Sequence, residues 1–347
     1  MYSFRNDYSE GACPEIMEVM MNTNLTQSVG YGEDEICEQA KAEIHKVLKN
    51  DACDIHFLVG GTQANLTVIS SALRPYEAVI AADSGHINVH ETGAIEATGH
   101  KVIIAHSKQG KLYPEGVKAA YYHHEDEHMV KPAMVYISNA TEIGTIYTKK
   151  ELEELSAICK ELGLYLFMDG ARLGAALAAQ DSDLAFEDLC TLCDVFYIGG
   201  TKNGALFGEA VVIVNDALKK DFRYMIKQRG GMLAKGRLLG IQFKTLFEQG
   251  LYLPLARHAN ELAMKMQEAM EECGYPFFIK TTTNQIFPIL PNALIEELQK
   301  EYAFQVWEAI DENHTAMRFV TSWATPVEAV DAFIKDFQKL DKIMRDK

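Results

Sequence analysis

A lysine, an aspartate–arginine pair, a histidine and a paired-glycine turn stand at the ends of apolar runs in this chain, and together they could carry carbonyl chemistry. Lys202 lies in Gly199-Gly-Thr-Lys-Asn-Gly204, directly after the apolar run 195–198. A lysine on such a turn, partly desolvated, can lose its proton and attack a carbonyl to form a Schiff base; a surface lysine on a hairpin is the plainer alternative. Thr201 sets a hydroxyl beside it. Asp169 leaves the fully apolar run 164–168 and is followed closely by Arg172. Either these two form a buried ion pair or they hold a charged ligand. His86 ends Asp83-Ser-Gly-His, just past the strand-like run 78–82. It could be acid, base or stacking partner, or only structural. Gly60, Gly61 and Thr62 separate a strand-like run, 54–59, from a helical pattern reaching about residue 73. A helix N-terminus with a hydroxyl beside it suits a phosphate, since the free amides and the positive end of the helix face the anion. The turn is neither a Walker A loop nor a dinucleotide fingerprint.

These groups need a frame that brings them together. Strand-like runs over 54–59, 78–82, 101–105, 133–138, 164–168 and 195–198 alternate with helical stretches, the pattern of a parallel sheet covered on both faces. In such a sheet the turns after the strands share the carboxyl edge, so Thr62, His86, Asp169 and Lys202 can converge there. The helix over 149–162 ends at Gly163, and a helix after His86 is expected to run to about residue 97. After residue 208 the rhythm changes to helices and then to strands over 277–280, 285–290 and 317–323, which predicts a smaller α/β domain. The expected division is an N-terminal arm (1–14), a large domain (15–250) and a small C-terminal domain (251–347). A phosphate cup, an acid, an imidazole and a Schiff-base lysine on one edge are what pyridoxal phosphate requires. The aspartate keeps the pyridine nitrogen protonated, and the bond held perpendicular to the ring is the one that breaks.

Composition bounds the partners. Of 347 residues 48% are hydrophobic, enough for a large core. No apolar run approaches the ~18 residues that span a bilayer, and the N-terminus lacks a signal-peptide pattern, so a cytoplasmic protein is expected. A net charge of −16 argues against nucleic acid as the main partner. Seven scattered cysteines suggest reduced thiols. Cys190-Thr-Leu-Cys193 has ligand spacing but no second pair, the acidic, histidine-rich segment 121–128 has no repeat spacing, and no metal is expected.

The motifs around Lys202 and Met168-Asp-Gly-Ala-Arg172 resemble those of the low-specificity L-threonine aldolases, in the β-eliminating lyase and threonine aldolase group of fold type I pyridoxal-phosphate enzymes. Phe4-Arg-Asn-Asp7, Gly30-Tyr-Gly-Glu-Asp34, Gly61-Thr-Gln-Ala-Asn65, Gly85-His-Ile87, Thr141-Glu-Ile-Gly-Thr145 and Met317-Arg-Phe-Val-Thr321 extend the resemblance over nearly the whole chain. It implies an aspartate aminotransferase-like large domain with a mainly parallel seven-stranded sheet and a smaller C-terminal domain. It implies that Lys202 bonds the cofactor, with Thr201 next to it, that Asp169 pairs with the pyridine nitrogen, that His86 stacks on the ring, and that Gly61 and Thr62 hold the phosphate. Arg172 and Arg318 would grip the substrate carboxylate. Tyr31 would enter from a neighbouring subunit of a homodimer or homotetramer with shared active sites, and Arg229 would serve a phosphate across that interface. Asn6 stands where many members carry a serine that contacts the carboxylate. One branch has a histidine in the segment matching 139–142 that reads the β-carbon, and Thr141 and Glu142 are found here instead; a preference between threonine and allo-threonine is therefore not implied. The implied reaction is retro-aldol cleavage of β-hydroxy-α-amino acids to glycine and an aldehyde, with His86 the candidate base. The alternatives are β-elimination from cysteine, serine or aromatic amino acids, and a pyridoxal-fold binding protein without turnover.

Overall fold

The computed structural model describes residues 1–346. At its centre is a seven-stranded sheet in the order Asp54–Leu58, Glu209–Ile213, Val195–Gly199, Tyr165–Asp169, Lys131–Ser138, Glu77–Ala82 and Val102–Ala105. Glu209–Ile213 is antiparallel to both of its neighbours, and the remaining pairs are parallel. Six strands therefore point one way and one runs back. Strands 195–199 and 209–213 are buried at every position, as continuous apolar runs in a covered sheet should be. The pleat sends alternate side chains to two separate cores. Phe196, Ile198, Val135 and Ile137 pack on one face, while Val195, Tyr197, Met134 and Tyr136 pack on the other with the helix Gly61–Ala72.

Helices form where the local chemistry allows their ends to close. Lys149–Leu162 begins in a reciprocal capping box between Thr148 and Glu151 and stops at Gly163, whose φ of 67° only glycine adopts without strain. The helix expected to run from His86 to about residue 97 is not continuous. It stops after His86–Val89 and resumes only as a short 3₁₀ turn, Glu96–Thr98, because Thr92 and Gly93 both take left-handed conformations. That break turns Glu91 back toward His86.

C-terminal residues build a four-stranded antiparallel sheet in the order Gln305–Ala309, His314–Val320, Gln285–Pro291 and Phe277–Ile279. Gln305–Ala309 was not anticipated from the sequence; its residues are mostly exposed and lack a clean alternation. The N-terminal arm carries a strand, Tyr2–Ser3, that pairs in parallel with Tyr302–Ala303, and Phe4 is fully buried among Phe319, Phe333 and Tyr302. Hydrophobic burial at Phe4 thus anchors the arm and delivers Asp7 to the edge of the large sheet.

Candidate active site

Because Glu209–Ile213 runs backwards, its first residue shares an edge with the last residues of its neighbours: Glu209 is in register with both Gly199 and Leu58, and Ser138 with Asp169. A cavity of ≈ 280 Å³ opens at this edge. Gly61, Thr62, His86, Asp169, Arg172, Thr201 and Lys202, all expected in the site, line it.

Asp169 is 4% exposed and is held by neutral donors. Its Oδ2 accepts from the Tyr136 hydroxyl at 2.5 Å and from the Asn65 amide at 3.1 Å, and Oδ1 accepts from the Ala171 amide at 3.0 Å. Burial opposes its charge, but nearby His86 and the hydrogen bonds from Tyr136, Tyr197 and Ala171 outweigh it and hold the carboxyl below its ordinary range. The Asn65 amide nitrogen also donates to Glu91 Oε1 at 2.8 Å, the same oxygen that meets His86 Nδ1 at 2.8 Å. Burial would lower the His86 pKa; Glu91 and Asp169 reverse that and raise it.

Lys202 is held at lowered proton affinity by burial and then by the Arg172 guanidinium, against the pull of Asp7, Asp169 and Glu209. Thr201 Oγ1 donates to Glu209 Oε1 at 2.9 Å, and burial pushes the Glu209 carboxyl up. The helix Gly61–Ala72 has no side-chain cap, so its first amides are free at the cavity.

Of the two readings of Asp169 and Arg172, an ion pair between them is not what the structure has. Arg172 turns to Asp7 and takes both its oxygens, Nε to Oδ2 at 2.7 Å and Nη2 to Oδ1 at 3.0 Å. Despite burial, Arg172, Lys202 and the Asn284 amide hold the Asp7 carboxyl down at about 2. Arg318 lies outside this cavity, in an adjoining cleft of ≈ 680 Å³. Its buried Nε has no hydrogen-bond partner among the described residues, and burial and Arg172 bring its pKa down to about 10.

Three expected residues stand elsewhere. Asn6 accepts from the Tyr8 amide and the Ser9 hydroxyl, closing a local turn. Tyr31 is 47% exposed beside Lys227, whose ammonium sits 4.7 Å from its ring. Arg229 presents its carbonyl to Gln63, while its buried Nε has no partner. Sequence reasoning missed Asp7, Asn65, Glu91, Tyr136, Tyr197, Glu142 and Glu209. Tyrosines inside otherwise apolar strands were the available signal for Tyr136 and Tyr197, since a buried hydroxyl needs a partner.

This geometry has relatives. Residues 3–292 match the model of a family described as beta-eliminating lyase. A low-specificity L-threonine aldolase of Pseudomonas aeruginosa is 32% identical over 338 residues, covering 96% of each chain. In structure, a threonine aldolase of Leishmania major superposes with a TM-score of 0.97 at 48% identity, covering 98% of this chain and 100% of that one. Thermus thermophilus aspartate aminotransferase, 13% identical with a TM-score of 0.72 over 98% of this chain and 91% of its own, shares the fold. The chain therefore belongs to the beta-eliminating lyase family, on the aspartate aminotransferase-like fold.

Proposed function

We propose that the protein uses pyridoxal phosphate to cleave L-threonine and L-allo-threonine into glycine and acetaldehyde. The observation that carries this reading is one buried cavity in which an amine of lowered proton affinity, Lys202, accompanies an ionised carboxylate, Asp169, whose hydrogen-bond donors are all neutral. The similarity to low-specificity L-threonine aldolases supplies the choice of substrate.

The donor set fits the cofactor. An acceptor-only carboxylate kept charged in the interior calls for a cationic N–H, which a protonated pyridine offers. The uncapped helix at Gly61 offers its amides to a phosphate, and a Cβ at Gly61 would stand 3.0 Å from the Tyr197 hydroxyl, so glycine keeps that end open. Lys202 would bond the aldehyde, Asp169 would hold the ring nitrogen protonated, His86 would stack on the ring, and Gly61, Thr62 and Thr201 would lie at the phosphate. When bound, the cofactor supplies an electron-withdrawing ring for the bond broken at the substrate α-carbon.

The chain's own residues orient the substrate. Arg318, with no carboxylate partner among the described residues, takes the substrate carboxylate. Arg172 contributes Nη1, the nitrogen that Asp7 leaves free. Tyr31 and Arg229 lie outside the cavity of their own chain, which supports their serving a second copy in a homodimer or homotetramer. The testing experiment is product analysis of cofactor-loaded protein given L-threonine and L-allo-threonine separately. Glycine with acetaldehyde is expected; pyruvate from cysteine or serine, without acetaldehyde, would move the reading to β-elimination.

A further inference from the structure

The cavity around Lys202 and the cleft around Arg318 meet at one side chain. Among the described residues Glu142 alone lines both. A substrate with its carboxylate at Arg318 and its amino group near Lys202 must pass this carboxylate.

Glu142 is held for a task that uses one oxygen. The Ser138 hydroxyl at 2.7 Å and the His86 backbone amide at 3.0 Å both donate to Oε1. Oε2 takes neither of these donors, and Glu142 lines the cavity, so this is the oxygen offered to a ligand. One oxygen fixes the group and the other is free to receive a proton. Burial raises the Glu142 pKa above the ordinary carboxylate range, Asp169 adds to the rise, and Ser138, its own backbone amide and His86 limit it. A carboxylate so raised is a stronger base than an exposed one. His86, the base expected from the sequence, is poorly placed for that role. Its Nδ1 faces Glu91, which together with Asp169 favours the imidazolium, and an imidazolium has no lone pair to accept a proton.

We propose that Glu142 is the catalytic base that takes the β-hydroxyl proton of the substrate. The role rests on the aldolase reading above. The O–H bond breaks and its proton passes to Glu142 Oε2, while the oxygen's electron pair completes the aldehyde C=O. The Cα–Cβ bond breaks, and its pair stays with the α-carbon until a solvent proton completes glycine. Glu142 then returns its proton to water, which balances the reaction.

Glu142→Gln tests the assignment, because glutamine keeps an acceptor for Ser138 and His86 and removes the basic oxygen. Acetaldehyde release from L-threonine should fall about 100-fold or more, the lower bound usual for loss of a general base. Cofactor uptake, read by its absorbance and by borohydride trapping on Lys202, should stay within a few-fold. So should exchange of the glycine α-hydrogens with deuterated water, because glycine has no β-hydroxyl and needs no such base. Threonine cleavage by Glu142→Gln within a few-fold of the unaltered protein would overturn the assignment and leave the aldolase reading standing. Loss of cofactor uptake and glycine exchange together with cleavage would also overturn it, making Glu142 a structural support. An unaltered protein that releases no acetaldehyde would sink the aldolase reading and this role with it.

Discussion

Asp7 and Arg172 face each other across two hydrogen bonds, 2.7 Å and 3.0 Å long, at the junction of the N-terminal arm and the central sheet. Asp7 is fully buried, and its other partner is the Asn284 amide at 2.9 Å. One carboxylate therefore ties the arm to the C-terminal sheet and to the cavity wall.

Replacing Asp7 by asparagine leaves the Arg172 guanidinium buried and unpaired, and should cost about 3–5 kcal/mol of stability in urea unfolding. The acid dependence has a definite sign. Folding lowers the Asp7 pKa to about 2, so the pair's contribution is complete above the unfolded pKa and is lost as pH falls from there toward 2. Asp7→Asn should flatten the acid limb in that window; an unchanged limb would assign it to other carboxylates.

Arg318→Ala should raise the KM for threonine by about 10- to 100-fold with kcat little altered, the size expected for one charge-assisted hydrogen-bonded contact made equally in ground and transition states. Steady-state kinetics with saturating cofactor reads this directly. A KM unchanged from that of the unaltered protein would remove Arg318 from the carboxylate site.

Lys202→Ala should leave no cofactor that borohydride can fix to the protein, while Tyr31→Phe should retain the trap. If Tyr31 serves a second copy, each variant alone should lose threonine cleavage, and their subunits, dissociated and reassembled together, should regain it by forming one intact site. Mixed assemblies as inactive as either parent would assign Tyr31 to its own chain or to no site.

Glu91→Gln should lower the titration midpoint of His86, followed by NMR of its ring protons, because the 2.8 Å contact to the Glu91 carboxylate does most to raise it. The sign for stability follows. A raised His86 pKa stabilises the fold fully below the unfolded value near 6.5, and that contribution fades as pH rises through the folded value. A midpoint that does not move would leave Asp169 as the sole source of the shift.

Elements whose chemistry is local were legible in the order of residues alone. Apolar runs ending in Gly60-Gly61, His86, Asp169 and Gly199-Gly200 were legible as strands, and the carboxyl edge of such a sheet brings Thr62, His86, Asp169 and Lys202 to one cavity, where the structure has them. Periodicity and turn residues act over a few positions, so one chain carries that information. The partners of the charged groups were set by folding. Arg172 pairs with Asp7, 165 positions away, although Asp169 is nearly adjacent in sequence. The reason is that Asp169 points inward to Asn65 and Tyr136 on neighbouring elements, and burial of Phe4 carries Asp7 to the guanidinium. Glu91 reaches His86 because left-handed residues at Thr92 and Gly93 end the helix that periodicity would have continued. Glu142 becomes shared between cavity and cleft, and Glu209 reaches the common edge, through sheet order and one reversed strand. Such contacts depend on which surfaces meet, and residue spacing alone does not encode that.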